Sequence, residues 1–199
     1  MNDPGDRPAQ VLTVGHSNHS LETFLSLLAG HAVTALADVR SAPWSRFNPQ
    51  FNRKALSASL STAGIAYVWL GRELGGRPDD PACYVDGELR YDRLAGTLLY
   101  REGIERVLRG VREHRLALMC AEKDPLHCHR ALLVSRSLEE RGLGVEHILA
   151  DGSLEPHESV LDRLLAVRRP DDDLFAEPKS RAERIDEATR TPPHRRKRG

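Results

Sequence analysis

The sequence predicts a single α/β domain, a doubly wound and mostly parallel sheet of about five strands with helices on both faces. Three observations lead there. Short apolar runs rich in valine, leucine and alanine recur along the chain, and stretches with helical spacing of apolar residues separate them. A length of 199 residues with 40% hydrophobic content suits one domain with a sizeable core.

The first strand is expected at Val11 to Val14, after a flexible N-terminus spanning residues 1–10. "SLETFLSLLAG" follows as a helix: Ser20 stands at the N-cap, Glu22 in the first turn, and apolar residues keep helical spacing until Gly30. Strands at Thr34 to Val39 and Ala66 to Leu70 bracket a second helix from about Asn52 to Ala63, stopped by Gly64. Tyr91 to His114 reads as one broken helix or two shorter ones, with Gly96, Gly103 and Gly110 as the breaks.

The fourth strand is Leu116 to Cys120. The helix after it starts with Asp124 as cap and Pro125 at the first helical position, and leaves through Gly142. A fifth strand, Val145 to Leu149, precedes a last helix after Pro156. The domain therefore spans residues 11–168. Beyond it, residues 169–199 are charged, proline-containing and poor in apolar side chains, which predicts a disordered tail.

Composition excludes several classes. With 29 basic and 29 acidic residues the formal net charge is zero, so no global field draws the chain to nucleic acid or anionic lipid. No apolar run approaches the roughly 20 residues of a membrane helix, and "MNDPGDRPAQ" lacks the regions of a signal peptide, so a cytoplasmic protein without membrane contact is expected. Three cysteines, Cys83, Cys120 and Cys128, do not make a disulfide framework. No Gly-Lys-Ser/Thr phosphate loop occurs, and nothing fixes an oligomeric state.

Ligand sites in doubly wound sheets lie beyond the carboxyl ends of the strands. The unusual residues of this chain sit there: "GHSN" from Gly15, "DVRSAPWSRF" from Asp38, "GRELGG" from Gly71, "CAEKDPLHCHR" from Cys120 and "DGS" from Asp151. Gly15 permits an unusual turn before a helix whose free amides suit an anion. Asp38 and Arg40, two apart on a strand, face one side, either as an internal ion pair or as a pair that orients Arg40 toward substrate. The planar fork of arginine fits phosphate or carboxylate, and Arg40, Arg46, Arg72 and Arg130 on strand-end loops or helix starts point to an anionic substrate.

"CAEKDPLHCHR" admits three chemical readings. As a zinc site it would use Cys120, His127, Cys128 and His129, but this crowded spacing differs from the separated Cys-x-x-Cys pairs of structural zinc, so no metal or other cofactor is expected. As a thiol site it would place Cys128 in the first turns of a helix, where amide dipoles and Arg130 favour a thiolate. As an acid/base wall it would use Glu122 as base, His127 or His129 as proton carrier, and Arg130 as anion clamp. Small core packing is the alternative role for both cysteines.

Together, "TVGHSNHSLETFLSLL", "LADVRSAPWSRFNPQFNRKAL", "GIAYVWLGRELGG" and "CAEKDPLHCHRALLV" resemble the bacterial and archaeal domain of unknown function family 488, from about Val11 to Leu165. The family's motifs fall on Gly15, His16 and Ser17; on Asp38, Arg40, Pro43 and Arg46; on Gly75 and Gly76; and on Cys120, Glu122, Cys128, His129 and Arg130. A fainter likeness joins the strand, loop and helix around Cys120 to rhodanese-type sulfurtransferases and cysteine phosphatases, although acids here replace their glycine-rich cradle.

Residues and resemblance together give one expectation: a hydrolase or transferase acting on an anionic small molecule or nucleic acid. Glu122, His129, Cys128, His16 and Asp38 are its expected catalytic residues, and Ser17, Arg40, Arg46, Arg130, Gly75 and Gly76 its substrate-binding residues. The alternatives are thiol or sulfur transfer through Cys128 or Cys120, and a nucleic-acid-binding module aided by the basic "HRRKRG" terminus.

Overall fold

The computed structural model of the protein describes residues 10–167 and 179–192. In chain order its elements are β1 (Gln10–Gly15), α1 (Leu21–Gly30), β2 (Ala35–Asp38), α2 (Arg53–Thr62), β3 (Ala66–Trp69) and α3 (Gly71–Leu74). A small hairpin, β4 (Tyr84–Val85) and β5 (Glu88–Leu89), precedes α4 (Tyr91–Ala95) and α5 (Leu98–Glu113). Then come β6 (Leu116–Cys120), α6 (Arg136–Glu139), β7 (Gly144–Ile148), β8 (Leu154–Pro156), α7 (His157–Val167) and α8 (Arg181–Ala188).

The main sheet runs β3-β2-β6-β1-β7-β8. Its first five strands are parallel and correspond to the five expected ones, while β8 adds an antiparallel edge that the sequence reading did not anticipate. The inner strands β1, β2 and β6 are buried on both faces, which explains why their sequences are apolar runs rather than alternations. On one face Phe24 and Leu28 of α1 and Leu56 and Leu60 of α2 pack with Leu12, Leu36, Ala117 and Met119. On the other, Tyr100, Ile104 and Val107 of α5 and Leu161 and Leu164 of α7 pack with Val11, Ala37, Leu116 and Leu118.

This arrangement positions the site. The chain leaves β1 and β2 through helices on one face, and leaves β6, which lies between them, through segments on the other. Connections diverging from neighbouring strands open a crevice at their carboxyl ends, so β6 is flanked by such a crevice on each side. Its last residue is Cys120.

The stretch Tyr91 to His114 is two helices, one of its two expected forms, divided at Gly96, and Thr97 starts the second by accepting a hydrogen bond from the Tyr100 amide. Two expectations are corrected. The helix expected after β6 is broken: Asp124 caps a 3-10 turn at Pro125–His127, Cys128 is extended, and a π-helix at Arg130–Ser135 runs into α6. Cys128 therefore lies just before a helix rather than in its first turns. The expected disordered tail contains α8, with a capping box between Ser180 and Glu183 and with Ile185 and Ala188 buried. Residues 1–9 of the expected flexible N-terminus, and 168–178 and 193–199 of the tail, lie outside the described residues.

Candidate functional site

A cleft of about 490 Å³ lies at the carboxyl edge of the sheet. Its floor is Cys120, Cys128 and His129. Ser41, Gly76, Glu122 and His127 line it further out, and Tyr84, Leu89 and Tyr91 from the hairpin and α4 form a wall. The hairpin turns at Asp86 and Gly87, both with positive φ, as a two-residue turn with right-handed strands requires. "VDGE" carried that signal in the sequence, and the sequence reading missed it, along with the wall it builds.

At the floor, His129 decides the chemistry. Its Nε2 is 3.0 Å from the Val39 carbonyl oxygen, which only accepts hydrogen bonds, so Nε2 carries the proton. Nδ1 is then the lone-pair nitrogen. It faces both thiols, 3.7 Å from Cys120 Sγ and 3.9 Å from Cys128 Sγ. The ring is held from behind by Gly76, where an added Cβ would stand 3.0 Å from His129 Cγ.

The two thiols differ. Cys120 is pushed well above the ordinary thiol range by its hydrogen bond to Cys128 and by burial. Burial acts the same way on Cys128, but the hydrogen bond from Cys120 and the charge of Arg130 oppose it, and Cys128 lies well below that range. The two shifts run in opposite directions, so within the pair the thiolate form is favoured at Cys128 over Cys120. Cys83, buried outside this arrangement, has its thiol raised by burial.

Arg130 was expected to clamp an anion. It is instead fully buried beneath the loop, donating from Nη1 to the Glu122 carbonyl at 2.6 Å, from Nη2 to the Lys123 carbonyl at 3.3 Å and from Nε to Thr13 Oγ1 at 3.2 Å. Gly15 lets that loop approach β1, since a Cβ there would lie 1.9 Å from the Glu122 carbonyl oxygen. Thr13 Oγ1 in turn meets His147 Nδ1 at 2.6 Å, and His147 Nε2 meets His157 Nδ1 at 2.9 Å, a polar chain running under the cleft.

Arg40 also turns inward. Its Nε and Nη2 grip Asp38, Nη2 also reaches the Phe51 carbonyl, and Nη1 donates to His16 Nε2 at 3.1 Å. The internal ion pair is the arrangement present. Asp38 accepts a further bond from the Tyr67 hydroxyl. Because arginine only donates, His16 Nε2 is the acceptor, and Nδ1–H donates to the Ser17 carbonyl at 2.8 Å. Burial, reinforced by Arg40, lowers His16 to about 4. Its ring stacks on Phe51 with centroids 4.4 Å apart. Both nitrogens are occupied, and His16 and Asp38 hold Arg40 and the strand ends.

The remaining expectations divide. Glu122, Cys128, His129 and Gly76 line the cleft, and Arg40 borders it. Ser17 spends its amide on the Ala121 carbonyl and its hydroxyl on Asn18. Gly75 packs against Gly71 and Ser41, while the exposed Arg46 lies over Phe47; neither lines the cleft. Folding brings the Cys120, Cys128 and His129 donor atoms within 4.8 Å of one another, because Cys120 ends a strand and the intervening loop returns to it.

Fold and site define an α/β protein with a cysteine–histidine cluster at the topological switch of a parallel sheet. The model of the family described as Domain of unknown function DUF488 matches residues 20–137, and the chain belongs to that family. The match is shorter than the expected Val11 to Leu165 and covers the cluster. No curated protein matches the chain. Among the described residues, no helix is long and apolar enough to cross a membrane.

Proposed function

We propose that the protein is a thiol-dependent enzyme in which Cys128 is the nucleophile and Cys120 its proton donor. The observation that carries this reading is the fixed tautomer of His129, whose unprotonated Nδ1 faces both sulfurs because Nε2–H is committed to Val39. Cys128 Sγ gives its electron pair to an electrophilic atom of the substrate. The bond to the leaving group breaks, and that group departs with the proton held by Cys120. Sulfur transfer and acyl or alkyl transfer share this step.

The substrate enters between Glu122 and the Tyr84–Tyr91 wall, and an anionic end fits beside Arg77 and His127 at the mouth. An acid/base reading centred on Glu122 is less well supported, since Arg40 and Arg130 turn their N–H groups to internal partners.

Alkylation tests the reading. In reduced, chelator-treated protein, iodoacetamide followed by peptide mapping should mark Cys128 at least about tenfold faster than Cys83, since the thiolate is the reacting form. Both side chains are buried, so Cys83 is an internal control. Equal rates at the two positions would remove Cys128 as a nucleophile.

A further inference from the structure

We infer that Cys120, Cys128 and His129 form a binding site for a soft divalent cation of the zinc class, with one coordination position open to the cleft. The inference goes beyond the nucleophile reading, because it needs only the positions of three donor atoms.

Zinc–sulfur bonds of about 2.3 Å and zinc–nitrogen bonds of about 2.0–2.1 Å, at a tetrahedral angle, set sulfur and nitrogen ligands about 3.6 Å apart and two sulfurs about 3.8 Å apart. The protein holds His129 Nδ1 at 3.7 Å from Cys120 Sγ and 3.9 Å from Cys128 Sγ. All three donors lie within 4.8 Å of one another, so closing the sulfur pair onto an ion asks at most about 1 Å of movement.

Orientation is already provided. A histidine ligand usually donates its other ring N–H to a carbonyl or carboxylate, which fixes the ring and its tautomer; here Nε2–H goes to the Val39 carbonyl. Thiolate and imidazole donors favour zinc-like ions over magnesium or calcium. Three protein ligands lining a cleft leave a fourth position for water or substrate, as in catalytic rather than closed structural zinc sites. On binding, the proton on Cys120 leaves to solvent and both sulfurs become ligands, so neither is available to an alkylating agent.

The test uses the full chain, reduced and stripped of metal by a chelator, titrated with Co²⁺ alone. One equivalent should produce a thiolate-to-cobalt charge-transfer band and protect Cys128 from iodoacetamide, and Zn²⁺ should displace it. Cys120→Ser and His129→Ala should each weaken binding by more than about 100-fold, beyond what outer-shell changes cause; Cys83→Ser should leave it unchanged. No band in the unaltered protein, or wild-type affinity in the first two variants, overturns the site. Fast alkylation of Cys128 without a cobalt band would remove the ion and keep the nucleophile. A cobalt band in a protein whose Cys128 alkylates no faster than Cys83 would keep the ion and remove the nucleophile.

Discussion

Arg40 meets Asp38 side-on, Nε to Oδ1 at 2.9 Å and Nη2 to Oδ2 at 2.7 Å, with both residues almost wholly shielded from water. The pair ties the end of β2 to itself, and through His16 and the Phe51 carbonyl it ties that end to β1 and to the segment before α2. Removing one partner leaves an unmatched buried charge. Arg40→Ala and Asp38→Ala are each expected to cost about 3–5 kcal/mol in urea unfolding. A loss below about 1 kcal/mol would return Arg40 to a substrate-binding role.

Arg130 stitches the Glu122–Lys123 loop to β1 from below. Arg130→Met keeps most of the volume and removes the donors to the Glu122 and Lys123 carbonyls and to Thr13 Oγ1. It should destabilise by about 2–4 kcal/mol and slow labelling of Cys128, read by denaturation and by peptide mapping.

Two glycines separate stability from reactivity. Gly15→Ala drives a Cβ into the Glu122 carbonyl, a main-chain atom that cannot swing away, and should destabilise by about 3 kcal/mol or more. Gly76→Ala meets the His129 side chain first, a neighbour that can shift. It should cost about 1 kcal/mol of stability while tilting Nδ1 off the sulfurs, so cobalt affinity should fall more than unfolding free energy does.

Acid should weaken the fold through its buried histidines. Burial lowers His16 and His157 to about 4, and lowers His147 too, so each is neutral in the folded protein where the unfolded chain begins to protonate near 6.5. Between pH 6.5 and 4 the unfolded state binds more protons. Stability is full above about 6.5 and falls as pH falls, by up to roughly 3 kcal/mol for each of His16 and His157. Urea unfolding at pH 7 and pH 5 measures the slope, and His157→Gln should reduce it; an unchanged slope would show that His157 protonates alike in both states.

Helix α8 is docked through Ile185, through Arg136 with Asp186, and through Arg181 with Asp162. The chain after it hydrogen-bonds the Tyr91 amide through the Arg190 carbonyl and brings Pro192 to the cleft wall. Ile185→Ala should cost about 2 kcal/mol and raise proteolytic cutting after Val167, followed by mass spectrometry.

The inner strands were legible because a strand buried on both faces has to be apolar throughout, as "LALMC" is. Helix α8 was not, because "RAERIDEA" looks like a solvated charge run; Ser180 and Glu183, three apart, were the overlooked cap signal. The strand-end rule placed Glu122, Cys128 and His129 together, and they line one cleft. The inward direction of Arg40 and Arg130 was not legible, because position in sequence places a guanidinium near a site without saying which way it points. Only the packed loop supplies the carbonyls that turn Arg130 downward, and those lie 7 and 8 residues away along the chain.

The partner that fixes the His129 tautomer is a main-chain oxygen, that of Val39. Any residue that packs at position 39 can therefore supply it, so the core beside the cluster is free to change its side chains without altering where the proton sits. A designer transplanting this thiol cluster would need to import the tip of a neighbouring parallel strand, because no single side chain carries the instruction.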